Sequence, residues 1–188
     1  VLPNQLRELE LAGFVDNFRR LSGISGAPRK GARFSDGFVY RLIEAAAHSL
    51  ILEPDPKLRK QLDGIVDAVV RAQDSDGYLN TYFQGPLAER RYTEERRSHE
   101  LLCTGQLIEA GLAYYEATGD RKLLDAGTSA ARHFMSRFGP NKAPILDGHP
   151  GLGMALADLF RLTPDGDFLE FSRYLLMAEG LPAYPFLK

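Results

Sequence analysis

Apolar residues recur at three- and four-residue steps along most of the chain, a spacing that places them on one face of an α-helix. Leu58, Leu62, Ile65, Val66 and Val69 form one of the clearest of these stripes. Convincing strand pairs are absent, although residues 78–83 could form a short extended piece. The pattern therefore predicts an all-α chain with helices over residues 2–20, 35–52, 56–72, 98–117, 121–138, 151–162 and 168–178.

A short sequence repeat separates several of these predicted helices. Residues 116–125 resemble residues 161–170, and residues 53–58 are a looser copy. Each copy places an Asp where its side chain can cap the helix that follows, namely Asp55, Asp120 and Asp165. A repeated unit of helix, capped turn and helix is typical of stacked helical hairpins. Such hairpins either close into an α/α toroid or remain an open α-solenoid.

Three long loops, over residues 22–33, 78–97 and 139–149, join one predicted hairpin to the next. Because each loop leads from the second helix of a pair to the first helix of the next, we expect all three at one end of the molecule. Aromatic, Asn, Thr and His residues are concentrated in or beside them, which favours a sugar-binding surface over a flat protein-binding face. The charged run over residues 89–97 is expected to be a solvated face.

The composition narrows the class of protein. The chain has 188 residues, of which 44% are hydrophobic and 26% charged, as in an ordinary soluble globular domain. A net charge of -2 gives no electrostatic argument for nucleic acid or an anionic membrane as partner. A single Cys excludes an internal disulfide and a site built from several thiolates. No apolar run approaches membrane-spanning length and no signal peptide is visible, and the compartment stays open.

Five segments in order along the chain, among them QDSDGYLNTY at 73–82 and HELLCTGQLIEA at 99–110, together resemble the β-L-arabinofuranosidase family, glycoside hydrolase family 127. Residues 73–82, QDSDGYLNTY, resemble its Q-x-x-D-G-Y-L-x-T-Y signature. Residues 91–93 followed by 99–110, HELLCTGQLIEA, resemble its H-E-L-Y-C-x-G-H-L-I-E-A helix. The other matching segments are the early Ser35-Asp36 with IEAAAHSL at 43–50, the continuation over 114–125, and Gly148-His149-Pro150, so that the similarity spans roughly residues 14–180.

The resemblance implies an (α/α)6 toroid that hydrolyses non-reducing terminal L-arabinofuranosyl or related sugars on a glycan. It also implies a zinc-bound cysteine nucleophile and a glutamate acid/base, all at family positions that lie beyond Lys188. Twelve helices of about 11–12 residues each, together with their connections, need well over the 188 residues of this chain. We therefore expect residues 1–188 to be the N-terminal portion of one catalytic domain, inactive alone. Exposed apolar helix faces could then drive self-association.

The resemblance also nominates sugar-binding residues. His99 and His149 fall in two of the matching segments, and a neutral imidazole can hydrogen-bond a sugar hydroxyl. The positive end of the helix at His99 would lower its pKa; capping or burial are its structural alternatives. Tyr78 and Tyr82 could stack on a sugar face or pack inside the loop.

Asp76, Asn80 and Glu100 are predicted to shape the rim of the same pocket. Cys103 lies one helical turn after His99, a spacing that could hold a metal, although packing as a buried hydrophobe is the preferred interpretation. His48 and His133, in the middle of predicted helices, are also expected to be packing residues.

Two other classes of function remain open on the sequence. One is a different α/α-toroid enzyme, such as a polysaccharide lyase or unsaturated-uronyl hydrolase, which would favour Arg or Lys in its pocket. The other is a non-catalytic helical scaffold that binds a protein through an apolar concave face.

Overall fold

A computed structural model describes residues 2–93, 95–145 and 148–177. The described part is all-helical, as predicted, and its only β-type contact is an isolated bridge between Phe138 and Ala143. One 3₁₀-helix, Gly85–Arg90, lies in the second long loop. The α-helices are α1 Leu2–Leu11, α2 Phe14–Leu21, α3 Asp36–Leu52, α4 Pro56–Arg71, α5 Glu95–Ser98, α6 Glu100–Thr118, α7 Lys122–Arg137, α8 Gly151–Leu162 and α9 Gly166–Leu176.

The long helices form hairpins arranged in two layers. The pairs α3–α4, α6–α7 and α8–α9 each pack together. Across the hairpins, α6 packs between α3 and α8, while α4 contacts α2 and α7 on the other side. The hydrophobic core accordingly has two parts, one where α2, α3 and α4 meet α6, and one among α6, α7, α8 and α9.

The predicted aspartate caps close the hairpin turns. Asp55, Asp120 and Asp165 each accept a hydrogen bond from the backbone amide two residues further on, at 2.8, 3.0 and 3.1 Å. These bonds satisfy amides that have no partner within the helix. The repeat seen in the sequence is therefore a repeated helix start.

Two of the predicted helices are broken. Residues 2–20 form α1 and α2 rather than one helix, because Gly13 has a left-handed backbone with φ of 78°. The helix expected from residue 98 begins at Glu100, since His99 is also left-handed and separates it from α5. The last helix begins earlier than predicted, at Gly166, and its predicted end at Ala178 lies outside the described residues.

Helix α6 touches its neighbours at backbone level. A Cβ atom on Gly111 would lie 2.8 Å from the Leu124 Cα of α7, and one on Gly105 would lie 2.8 Å from the Gly151 carbonyl carbon of α8. Real side chains do not approach backbone atoms so closely. Glycine at these positions therefore sets how near α7 and α8 come to α6.

We expect Gly111→Ala to destabilise the chain by about 1–3 kcal/mol, because the added methyl group forces α6 and α7 apart. This loss outweighs the helix propensity gained, about 1 kcal/mol. Gly64→Ala is the control: Gly64 is exposed on α4 with no atom within 4 Å of its Cβ position, so this variant should gain up to about 1 kcal/mol. Thermal unfolding followed by circular dichroism measures both, and shifts of the same sign would contradict the packing argument.

Candidate functional site

The predicted clustering of the long loops is confirmed. The rings of His99 and His149 lie 4.9 Å apart, which joins the start of α6 to the loop before α8. The Arg29 Nε donates to Thr81 Oγ1 at 3.3 Å, which joins the first long loop to the second. Three loops distant in the sequence thus meet beside the first residues of α3, α6 and α8, and this end of the molecule is the candidate site.

The close contact between α6 and α8 explains the histidine pair. Gly105 meets Gly151 within about one and a half turns of the start of α6, and α8 begins at Gly151 itself. Because the two backbones touch there, residues just before each helix are held close together. His99 and His149 occupy those positions.

His99 is not a helix cap, since its side chain makes no capping hydrogen bond. Its ring meets Phe34 edge-on, with centroids 5.2 Å apart, and its buried Nδ1 has no hydrogen-bond partner among the described residues. Burial, and then the neighbouring His149, lower the pKa of His99. The lowered pKa agrees with the expectation from the sequence, but its main cause is burial rather than the positive end of the helix. The imidazole is therefore neutral at pH 7.

The two candidate tyrosines differ in position. Tyr82 is half-buried, with the guanidinium of Arg29 4.9 Å and that of Arg33 5.6 Å from its ring centroid. Tyr78 is only 1% exposed, and the Arg91 guanidinium lies 3.8 Å from its ring centroid. Tyr78 therefore offers no open ring face to a sugar, and here the packing alternative describes it better than the stacking role.

A buried carboxylate on α3 anchors the loop that carries Tyr82. Asp36 accepts hydrogen bonds from the backbone amide and the hydroxyl of Thr81, both at 2.6 Å. Burial raises the pKa of Asp36, while the bonds from Thr81 and the nearby Arg29 oppose this rise. The sequence analysis placed Asp36 in a matching segment but did not identify this role.

Asp76 and Asn80 form the turns of the same loop. The Asn80 side chain is buried and accepts from the amides of Tyr82 and Phe83, at 3.0 and 3.2 Å. Asp76 accepts from the Tyr78 amide at 3.1 Å. Both side chains thus shape the loop, although the Asp76 carboxylate is exposed and the Asn80 amide nitrogen is buried without a partner among the described residues.

The charged run contains a residue that the sequence analysis misjudged. Arg91 was expected to be solvated, but its side chain is 14% exposed and donates to Asp74 at 2.6 Å. Its Nε also donates to the Phe83 carbonyl oxygen at 3.2 Å. Arg91 therefore ties the end of this loop to its beginning, a contact that local spacing does not reveal.

His133 is buried, as predicted, and its hydrogen bonds define its tautomer. Nδ1 lies 2.9 Å from the Asp76 carbonyl oxygen, which can only accept, so Nδ1 carries the proton. Nε2 then accepts from the Tyr92 hydroxyl at 2.5 Å and from Arg137 Nε at 3.2 Å. Burial lowers the pKa of His133 and raises the pKa of Tyr92 to about 12. His48, by contrast, is exposed on α3, and its predicted packing role was wrong.

The described residues do not fit a zinc ion. Cys103 is buried against α3, with Sγ 3.8 Å from the Phe34 carbonyl oxygen. Within the described ranges, no group of three or more His, Cys, Asp or Glu side chains is arranged to hold a metal. Cys103 and His99 alone are too few for the tetrahedral ligand set that zinc prefers.

The hairpin layers, with their connecting loops gathered at one end, are typical of a segment of an α/α toroid or an α-solenoid. The sequence profile described as "Beta-L-arabinofuranosidase, GH127 catalytic domain" matches residues 2–184. The chain belongs to glycoside hydrolase family 127. None of the helices in the described part of the chain has the length and apolar character needed to cross a bilayer.

Individual relatives agree with this assignment. The non-reducing end β-L-arabinofuranosidase of Bifidobacterium longum subsp. longum is 39% identical over 172 residues, which cover 88% of this chain and 26% of that protein. The crystal structure of a GH127 β-L-arabinofuranosidase from Geobacillus stearothermophilus T6 superposes with a TM-score of 0.92 at 35% identity, covering 98% of this chain and 30% of that one. The GH127 β-arabinofuranosidase BT3674 gives a TM-score of 0.85 at 32% identity, with 95% and 30% covered. These matches decide for the toroid over the open solenoid.

We expect His149→Asn to raise the pKa of His99, because the variant removes the charge repulsion between the two rings. Burial, the larger cause, remains, so this pKa should stay below the ordinary value of 6.5. A lowered pKa means that the folded chain binds a proton less readily than the unfolded chain. The stability contributed by neutral His99 is therefore complete above the unfolded pKa and is lost as pH falls through that value towards the folded one.

NMR titration of the imidazole resonances measures this shift. His48→Asn is the matched control, since it replaces an exposed histidine in the middle of α3. An unchanged His99 titration in His149→Asn would refute the electrostatic link between the rings.

Proposed function

We propose that this chain is the sugar-binding N-terminal part of a hydrolase that releases non-reducing terminal β-L-arabinofuranosyl groups from glycans. The chain spans about a quarter of its curated relative and 30% of each solved relative named above. The observation that carries the proposal is the pairing of His99 and His149, 4.9 Å apart, at the end where the loops meet.

The chemistry of the pair suits a neutral sugar. A neutral imidazole has one donor and one acceptor nitrogen, and each can serve a hydroxyl group. His99 Nδ1 is buried without a hydrogen-bond partner among the described residues, and the half-buried residue can meet a ligand only through its remaining accessible atoms. His149 is exposed, so that a ligand can reach the pair from solvent. Tyr82, half-buried in the second long loop, is the aromatic candidate.

The proposal assigns the nucleophile, the acid/base and the zinc ligands to other parts of the parent polypeptide. Its support is the short coverage of the relatives and the lack of a metal-ligand cluster within the described ranges. Residues 1–188 would then form one portion of a single (α/α)6 domain. Self-association through exposed apolar side chains such as Leu11, Leu52 and Met177 stays a prediction.

The Arg29 guanidinium, one of the cations near the site, is not directed at a uronate substrate. The guanidinium nitrogens of Arg29 donate to Thr81 Oγ1 and to the carbonyl oxygens of Gly31 and Ala32. These bonds are internal and hold the loop together. The lyase and uronyl-hydrolase alternatives would instead require cations directed at the ligand.

Calorimetric titration of the 188-residue chain with methyl β-L-arabinofuranoside tests the binding role. We expect weak binding that falls roughly tenfold in His99→Ala, the equivalent of one lost hydrogen bond. His48→Ala is the control and should bind the sugar as the unmodified 188-residue chain does. Absence of binding, or a preference for methyl glucuronide, would count against the proposal.

Hydrolysis of 4-nitrophenyl β-L-arabinofuranoside tests the enzymatic role. The parent polypeptide, extended to the length of its relatives, should release 4-nitrophenol, whereas residues 1–188 alone should not. Turnover by the 188-residue chain would show that the nucleophile lies within it, contrary to the proposed division.

A further inference from the structure

A buried carboxylate lies directly beside His99 in the sequence and makes no contact with solvent. We propose that Glu100 is a positioning residue, whose anchored carboxylate holds the left-handed turn at His99 and thereby directs the imidazole towards Phe34 and His149. That this arrangement serves sugar binding rests on the proposed function; the positioning itself rests on the geometry below.

Both carboxylate oxygens of Glu100 are held by the second long loop. Oε2 accepts a short hydrogen bond from the Tyr78 hydroxyl, and Oε1 accepts from the Tyr92 amide at 3.0 Å. Glu100 is 1% exposed, so these bonds are shielded from water. Hydrogen bonds to a buried carboxylate are stronger than those between neutral groups, and they hold the first residue of α6 in place.

The backbone next to Glu100 requires such anchoring. His99 has φ of 56° and ψ of 33°, a left-handed conformation that residues with a Cβ rarely adopt. A left-handed conformation of this kind persists where several surrounding contacts hold it in place. On the helix side, the Cys103 amide donates to the His99 carbonyl oxygen at 2.9 Å, and Thr104 Oγ1 donates to the Glu100 carbonyl oxygen at 2.9 Å. The Glu100 side chain supplies the restraint on the loop side.

The groups that hold Glu100 are themselves fixed from outside. The Tyr92 hydroxyl bonds to His133 on α7, and Tyr92 is also left-handed, with φ of 65°. The Tyr78 ring lies under Arg91, which is paired with Asp74. The rings of Tyr78 and Tyr92 meet edge-on, with centroids 5.8 Å apart. A continuous set of contacts therefore runs from α7 through Tyr92 and Glu100 to His99.

The burial of Glu100 shows that its role is to position His99 rather than to contact a ligand directly. Glu100 cannot touch a ligand while its carboxylate is enclosed by Tyr78 and Tyr92. Its effect on a sugar would be exerted through His99, which is half-buried and faces His149.

The test is Glu100→Gln in the 188-residue chain, read by the imidazole resonances of His99 in the absence of sugar. Glutamine places an oxygen at only one of these two positions and carries no charge, so at least one of the two charge-assisted hydrogen bonds from Tyr78 and Tyr92 is lost. We expect the His99 ring signals to move by more than their line width, because the ring leaves its place beside Phe34 and His149. The signals are assigned by their loss in His99→Asn.

Asp165→Ala is the matched control. It removes the cap of α9, far along the sequence from His99, and lowers stability without touching the Glu100 contacts. The proposal requires the His99 signals to move in Glu100→Gln and to stay in Asp165→Ala. A loss of stability in Glu100→Gln with unmoved His99 signals would show a merely structural role and overturn it.

If Glu100→Gln does not fold, Tyr78→Phe decides in the same way. It removes one hydrogen bond to Glu100 and keeps the buried ring, and a shift of the His99 signals supports the proposal whereas unmoved signals overturn it. Titration of the same samples with methyl β-L-arabinofuranoside separates the two claims. If the His99 signals shift in the variant but the unmodified 188-residue chain does not bind the sugar, the positioning role stands and the proposed function is contradicted.

Discussion

The close approach of α6 to its neighbours is the constraint on which the candidate site depends. Gly105 and Gly111 present no side chain to α8 and α7, so these helices pack at backbone distance. A larger residue at Gly105 would separate the starts of α6 and α8. The 4.9 Å distance between the His99 and His149 rings would then be lost, even though neither histidine had changed. Gly105, a glycine unfavourable for helix formation in a helix interior, thus determines the distance between the two histidines, and Gly111 determines how closely α7 approaches α6.

Buried carboxylates hold the loops in position, as apolar packing holds the helices. Asp36 binds Thr81 through both oxygens, and Glu100 binds Tyr78 and Tyr92 in the same manner. A buried charge is costly unless its hydrogen bonds are satisfied, so each carboxylate tolerates few alternative arrangements of its partners. The second long loop has little regular structure, yet it is held at its first and last parts by two different helices.

Local spacing was sufficient for the presence of the helices and for the aspartates that precede three of them, and insufficient for the breaks at Gly13 and His99. The three aspartate caps were predictable because a cap is satisfied within two residues. The stripe over residues 2–20 concealed the break at Gly13, because apolar residues on both sides kept a helical spacing. The burial of Arg91 depends on Asp74 and Phe83, and the left-handed turn at His99 depends on contacts with the preceding loop. Such contacts between distant residues leave no periodic signal in the sequence.

Some residues of the matching segments support the site from within the protein, and others face the side from which a ligand would approach. Tyr78 and Glu100, and Asn80 through its side-chain oxygen, direct hydrogen bonds at other parts of the chain, so a motif that resembles a sugar site is largely the support of that site. The groups that reach the surface include His149, the half-buried Tyr82 and the neutral His99. The Asp76 carboxylate is also exposed, and it lies 3.4 Å from His133 Nδ1 and 3.6 Å from the Arg137 guanidinium. His149, Tyr82 and His99 can orient a sugar through its hydroxyl groups, which is the role proposed for this chain, whereas cleavage of a glycosidic bond requires an acid and a nucleophile or base.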